Sequence, residues 1–148
     1  MPQTLSFNLV HIIFSTKHRA PLILDDVLAA LHAYMAGTVR KLDCECFRVG
    51  GVADHVHLAV RLGTTKTAAR VVSEIKTGSS VWMKEQGVRN FAWQRGYALF
   101  SVSPADVGAL MRYIDEQKTH HRKRDFRDEM RAFFEKYHIG FDERYVWD

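Results

Sequence analysis

Apolar positions along the chain fall into alternating and helical runs whose order is strand, helix, strand, strand, helix, strand, and then helices. Leu5 to Thr16 is β-branched and aromatic on both faces, as a central strand is. Leu24 to Leu42 carries Leu24, Val27, Leu28, Leu31, Tyr34 and Met35 at helical spacing. Phe47 to Val52 is a short strand, with Gly50-Gly51 near its turn. Thr67 to Glu85 is a second helix with Ala68, Val71, Val72, Ile75 and Trp82 on or near its buried stripe. A fourth strand begins near Gly96 and runs through Phe100 to Val102. Ser103 then caps a third helix with Pro104 in its first turn, and Val107, Leu110, Met111 and Ile114 form its stripe. Phe126, Met130, Phe133, Phe134 and Tyr137 mark one more helix, closed by Gly140. This order predicts an α+β fold, a ferredoxin-like βαββαβ domain with an antiparallel sheet and additional C-terminal helices. A single domain over residues 1–148 is expected, with the first and third strands central.

One strand breaks the pattern. In Asp54-His55-Val56-His57-Leu58 and onward, Val56, Leu58, Val60 and Leu62 share one face, while His55, His57, Ala59 and Arg61 share the other. Two residues of rise put the two Cβ atoms about 6.5 Å apart, close enough for both rings to turn toward one cation. A histidine on a sheet face is also a common hydrogen-bonded structural residue, so the pair needs a third ligand and a reactive group to become a site. Tyr113 and Gln117, four apart beside the apolar stripe of the third helix, supply candidates. His11, on a strand expected to border the histidine strand, reads as a buried hydrogen-bonded residue near the site.

Composition narrows the class. Hydrophobic residues at 47% and charged residues at 26% are ordinary for a globular protein. No apolar run reaches the roughly 20 residues of a membrane span, and Met1 to Ser6 lacks a secretory pattern. A cytoplasmic location without membrane association is therefore expected. Cys44 and Cys46 flank Glu45, a poor disulfide spacing without a second ligand pair for zinc, and are read as reduced thiols. A net charge of +4 favours a polyanionic partner.

Taken together, these segments resemble the single-tyrosine HUH transposases of small bacterial insertion sequences. The resemblance is carried by Ser15-Thr16-Lys17-His18-Arg19 after the first strand, by Asp54-His55-Val56-His57-Leu58, and by Lys76 with Ser79 and Ser80. Trp93-Gln94-Arg95-Gly96-Tyr97 and Tyr113-Ile114-Asp115-Glu116-Gln117 continue it in the family's order, and Thr119-His120-His121-Arg122 with the aromatic C-terminus is similar to one branch. What the resemblance implies is a transposase that cleaves and rejoins single-stranded DNA through a 5′-phosphotyrosine. Tyr113 would be the nucleophile, and His55, His57 and Gln117 would hold Mg2+ or Mn2+. The implied partners are single-stranded DNA with hairpin ends and a second copy in a homodimer, whose tyrosine helices can be exchanged. Lys17, Arg19 and Lys76 are the leading phosphate contacts, ahead of Arg70, Arg95, Arg122 and Lys123. Two other readings remain open: a host-adopted HUH nuclease, and a non-catalytic ferredoxin-like nucleic-acid-binding protein.

Overall fold

The computed structural model describes residues 2–118 and 125–148; His120, His121, Arg122 and Lys123 lie outside them. Four strands, β1 (Leu9–Ser15), β2 (Glu45–Val52), β3 (His55–Arg61) and β4 (Ala98–Val102), pair in the order β2-β3-β1-β4. Every pairing is antiparallel. With α1 (Asp25–Lys41) between β1 and β2, and α2 (Ala68–Glu85) between β3 and β4, this is the ferredoxin-like arrangement. Among the described residues α3 (Val107–Asp115) and α4 (Phe126–Lys136) follow. None of the described helices is long and apolar enough to cross a membrane.

The alternation of β1 and β3 divides the interior into two layers. Val10, Ile12, Phe14, Val56, Leu58, Val60 and Leu62 face α1 and α2 and join Leu31, Met35, Val39, Val71, Val72, Ile75 and Met83 in the main core. The opposite face is covered as well. Ala59 packs beneath Leu110 and Ile114 of α3, and Ile13 and Phe100 pack beneath Phe126, Met130 and Phe134 of α4. The central strands are thus buried on both sides, which is why β1 has no polar face to show in its sequence.

Local chemistry sets the helix ends. Asp25 and Asp26 open α1 and Arg40 and Lys41 close it, each charge opposing the end of the helix dipole it sits on. The Thr67 hydroxyl accepts from the Arg70 amide at the start of α2. Ser103 caps a 3-10 turn, Pro104–Asp106, which leads into α3. Three boundaries differ from the sequence pattern. The first strand starts at Leu9, not Leu5, because both neighbours run out there: Leu9 pairs with Arg61 of β3 and Val102 of β4. The second begins earlier than Phe47, and a bulge at Cys46/Arg48 absorbs the extra residue. After α4 the left-handed position is His138 (φ 56), not Gly140. Both cysteines are free, and burial pushes the Cys46 thiol up.

Two segments singled out in the sequence meet each other. The Trp93 indole donates to the Ser79 hydroxyl (2.9 Å), which donates in turn to the Ile75 carbonyl one turn back (2.6 Å). Lys76 Nζ donates to the carbonyls of Gln94, Arg95 and Gly96 at 2.6, 3.0 and 3.0 Å. An ammonium has three donors, so all three are engaged in tying the 93–96 loop to α2.

His32 of α1 lines a hollow with Leu28, Val49, Gly50 and Ile114, and burial lowers its pKa from 6.5 to about 4. The unfolded chain therefore binds a proton below pH 6.5 that the folded chain does not, so stability falls as the pH drops from 6.5 toward 4. The His32→Gln protein is expected to lose less stability than wild type between pH 7 and pH 5, by on the order of 1–2 kcal/mol. Urea unfolding at the two pH values measures this; identical slopes in both proteins would refute it.

Candidate active site

The site is built on the face of β3 turned toward α3 and α4. His55 and His57 are 0% exposed, so each ring nitrogen has to be accounted for inside the protein. His55 Nδ1 lies 2.8 Å from Asp54 Oδ1, and His57 Nδ1 lies 2.8 Å from His11 Nε2. The two Nε2 atoms turn the other way. His55 Nε2 is 3.2 Å from Gln117 Oε1, and His57 Nε2 is 3.4 Å from Glu129 Oε1.

Gln117 reaches this point because α3 sits low on the sheet. Its descent depends on Gly50, the β2 residue paired with His57. A Cβ at position 50 would stand 2.6 Å from both Ile114 Cγ2 and the Ile114 carbonyl oxygen. With no side chain there, the α3 backbone rests on β2. Tyr113 then meets His57 edge-on (ring centroids 5.6 Å apart), and the Gln117 amide donates to the Tyr113 carbonyl at 3.1 Å. His11 and Phe133 present further ring edges to Tyr113, at 6.0 and 5.9 Å. Tyr113 and Gln117 thus lie beside the two histidines of their own chain.

The fourth group comes from α4. Glu129 is buried, and among the described residues its Oε1 has no hydrogen-bond partner. Ligand atoms of His55, His57 and Glu129 all lie within 4.8 Å of one another. Asp54 Oδ1, a carboxylate oxygen, can only accept from Nδ1 of His55, and Nε2 faces the Gln117 oxygen. A proton or a cation between that nitrogen and the Gln117 oxygen would satisfy both. The donor set, imidazole nitrogens with carboxylate and amide oxygens, fits a divalent ion. α4 also roofs the site, stacking Phe126 on His55 at 4.5 Å.

The basic candidates are placed differently from one another. Arg19, in a 3-10 turn (Lys17–Arg19) with a left-handed backbone, pairs with Asp54 (3.4 Å) and Asp125 (3.1 Å) and lies over Phe126. Through Asp54 it braces His55. Lys17 borders a hollow of about 270 Å³ with His18, Arg95, Trp147 and Asp148. Lys76 is not brought to the histidines; it is committed to the carbonyls of residues 94–96, and burial lowers its pKa. His11 is buried as expected and, by burial first and then the Lys136 charge, is pushed down to about 3.

Three contributors went unassigned in the sequence. Asp54 and Gly50 stood in plain view but with no role. Glu129 had a usable signal: it lies three residues after Phe126 and four before Phe133, an acid on an apolar helical stripe.

Residues 6–117 match the family described as "Transposase IS200 like". A crystal structure of a Deinococcus radiodurans protein, provisionally described as a transposase, is 20% identical with a TM-score of 0.62, over 79% of this chain and 95% of that one. A REP-associated tyrosine transposase bound to a REP hairpin is 16% identical with a TM-score of 0.61, over 82% of this chain and 74% of that one. No curated protein matches the chain.

Two outcomes are expected. Gly50→Ala forces α3 off the sheet, costing about 1–3 kcal/mol and weakening Mn2+ binding as Gln117 withdraws; thermal unfolding and a Mn2+ titration read the two effects. Glu129→Gln keeps the packing but removes the carboxylate, so Mn2+ affinity falls while the melting temperature holds or rises in metal-free buffer. Unchanged affinity would remove Glu129 from the site.

Proposed function

The chain belongs to the IS200-like transposase family, and on that footing we propose that it cleaves and rejoins single-stranded DNA at hairpin-bearing transposon ends, with Tyr113 as nucleophile. The observation that carries this reading is the seat of α3. α3, which ends at Asp115, and the residues just after it bring a phenol against His57 and the Gln117 amide oxygen to 3.2 Å from His55 Nε2. A non-catalytic binder with this fold would have no use for that convergence, and the face in question holds imidazoles instead of the exposed aromatics of base-stacking sheets.

In this reading the Tyr113 oxygen attacks the phosphorus of a DNA phosphodiester. The P–O3′ bond breaks, the departing oxygen ends as a 3′-hydroxyl, and the 5′ side remains as a phosphotyrosine diester. A diester has replaced a diester, so a second 3′-hydroxyl reverses the step onto a new strand without ATP. An ordinary tyrosine has a pKa of about 10, and its ionisation needs help. His55 and His57, with Gln117 and Glu129 as oxygen donors, would hold Mg2+ or Mn2+ beside it, the nitrogens favouring Mn2+. Such an ion polarises a phosphoryl oxygen and offsets the charge that develops there. The ring edges of His11 and Phe133 restrict the phenol to one approach. Because Phe126 and Glu129 close over the histidines, a phosphate enters only as α4 gives way.

Lys17, His18 and Arg95 around Trp147 offer charge and a stacking surface for the strand. Arg19 acts through Asp54, and Lys76 through the loop it grips. A homodimer would set two such sites on the two ends that excision must cut. The solved relative that holds a REP hairpin supports a folded DNA end as the ligand.

Wild-type protein with Mn2+ and labelled hairpin-bearing single-stranded DNA is expected to yield a denaturation-resistant adduct that mass spectrometry assigns to Tyr113. Tyr113→Phe should bind the same DNA and form none. An adduct persisting in that variant moves the chemistry to another residue, and no adduct in wild type leaves the binding reading alone. Binding should weaken steeply with salt as phosphate contacts release counterions; equal affinity for an unstructured strand would count against hairpin recognition.

A further inference from the structure

The two histidines of β3 are oriented by different kinds of partner. His55 Nδ1 faces a carboxylate, Asp54 Oδ1, at 2.8 Å, which can only accept from it. His57 Nδ1 faces another imidazole, His11 Nε2, also at 2.8 Å. Between two imidazoles the proton has two possible owners. If His11 donates, His57 carries its own proton on Nε2 and aims an N–H at Glu129, and no cation can bind there. If His57 donates, its Nε2 lone pair is free to be a ligand. We infer that His11 is the acceptor, a positioning residue that selects the metal-binding tautomer of His57 and holds its ring in place. The inference rests on the reading of His55 and His57 as metal ligands.

The surroundings of His11 suit that task. It comes from β1, two pairs along from the Ile13↔His57 pair and on the same face of the sheet, so the register itself delivers the ring to its neighbour. Its ring lies 5.1 Å from that of His57, inclined at 29°, and makes T-shaped contacts with Phe100, Phe133 and Tyr113, centroids 6.4, 5.4 and 6.0 Å apart. It is 2% exposed. Ligand histidines commonly pass their second N–H to a carboxylate or carbonyl that fixes their orientation. Here Asp54 and Glu129 already put two carboxylates around the site. A third at position 11 would repel the phosphodiester that the site has to admit. A neutral imidazole orients His57 without adding charge.

The experiment uses the full chain and Mn2+ as the probe. By Mn2+ titration, His11→Phe should bind about 10–100-fold more weakly, while His11→Gln, whose side-chain oxygen restores an acceptor, should stay within a few-fold of wild type. If His57→Ala loses Mn2+ but His11→Phe binds it normally, the role of His11 fails and the ligand assignment stands. If His57→Ala binds as wild type does, the ligand assignment fails and the inference falls with it.

Discussion

A strand covered on both faces has no water to satisfy its polar side chains, and this constraint governs the rest of the molecule. β3 lies between β2 and β1, with α1 and α2 on one side and α3 and α4 on the other. Two imidazoles in that setting are costly unless every nitrogen has a partner. The chain answers with a shell: Asp54 and His11 behind the rings, Gln117 and Glu129 in front. Each member comes from a different part of the chain, so the site cannot assemble until the sheet and both later helices are in place.

Much of this was legible because it obeys a period. The alternation of Val56, Leu58, Val60 and Leu62 against His55 and His57 gave the two faces of β3; the i, i+4 spacing placed Tyr113 and Gln117 on one helix, whereas α3 ends at Asp115 and Gln117 follows its cap. The wider likeness to a known family joined the two, and contact between His55 and Gln117 followed. What stayed hidden depends on approach distances and on charge placement. No periodicity shows that Gly50 is where two backbones touch. Glu129 was passed over because charged residues on a helix are usually solvated, though Phe126, Ala132 and Phe133, three and four residues away, are apolar. The start of β1 was misjudged for another reason: Leu5 and Phe7 have strand-like chemistry, but pairing ends where the neighbours end.

The basic residues carry a similar lesson. Positive charge in a protein of net +4 invites assignment to a polyanion. Yet Lys76 has its three donors on carbonyls and Arg19 is shared between Asp54 and Asp125. Both hold the protein's own loops.

The contact at Gly50 has one more implication. Side-chain contacts between helix and sheet can be retuned, since rotamers shift and a methylene lost in one place is refilled from another. A helix resting by its main chain on a strand's main chain has no such freedom. The height of Tyr113 above the histidines is thereby insulated from ordinary drift in the surrounding apolar residues. Sequences with this fold can diverge through most of their interior while the gap between phenol and imidazole stays constant, so long as nothing larger than hydrogen occupies that one position.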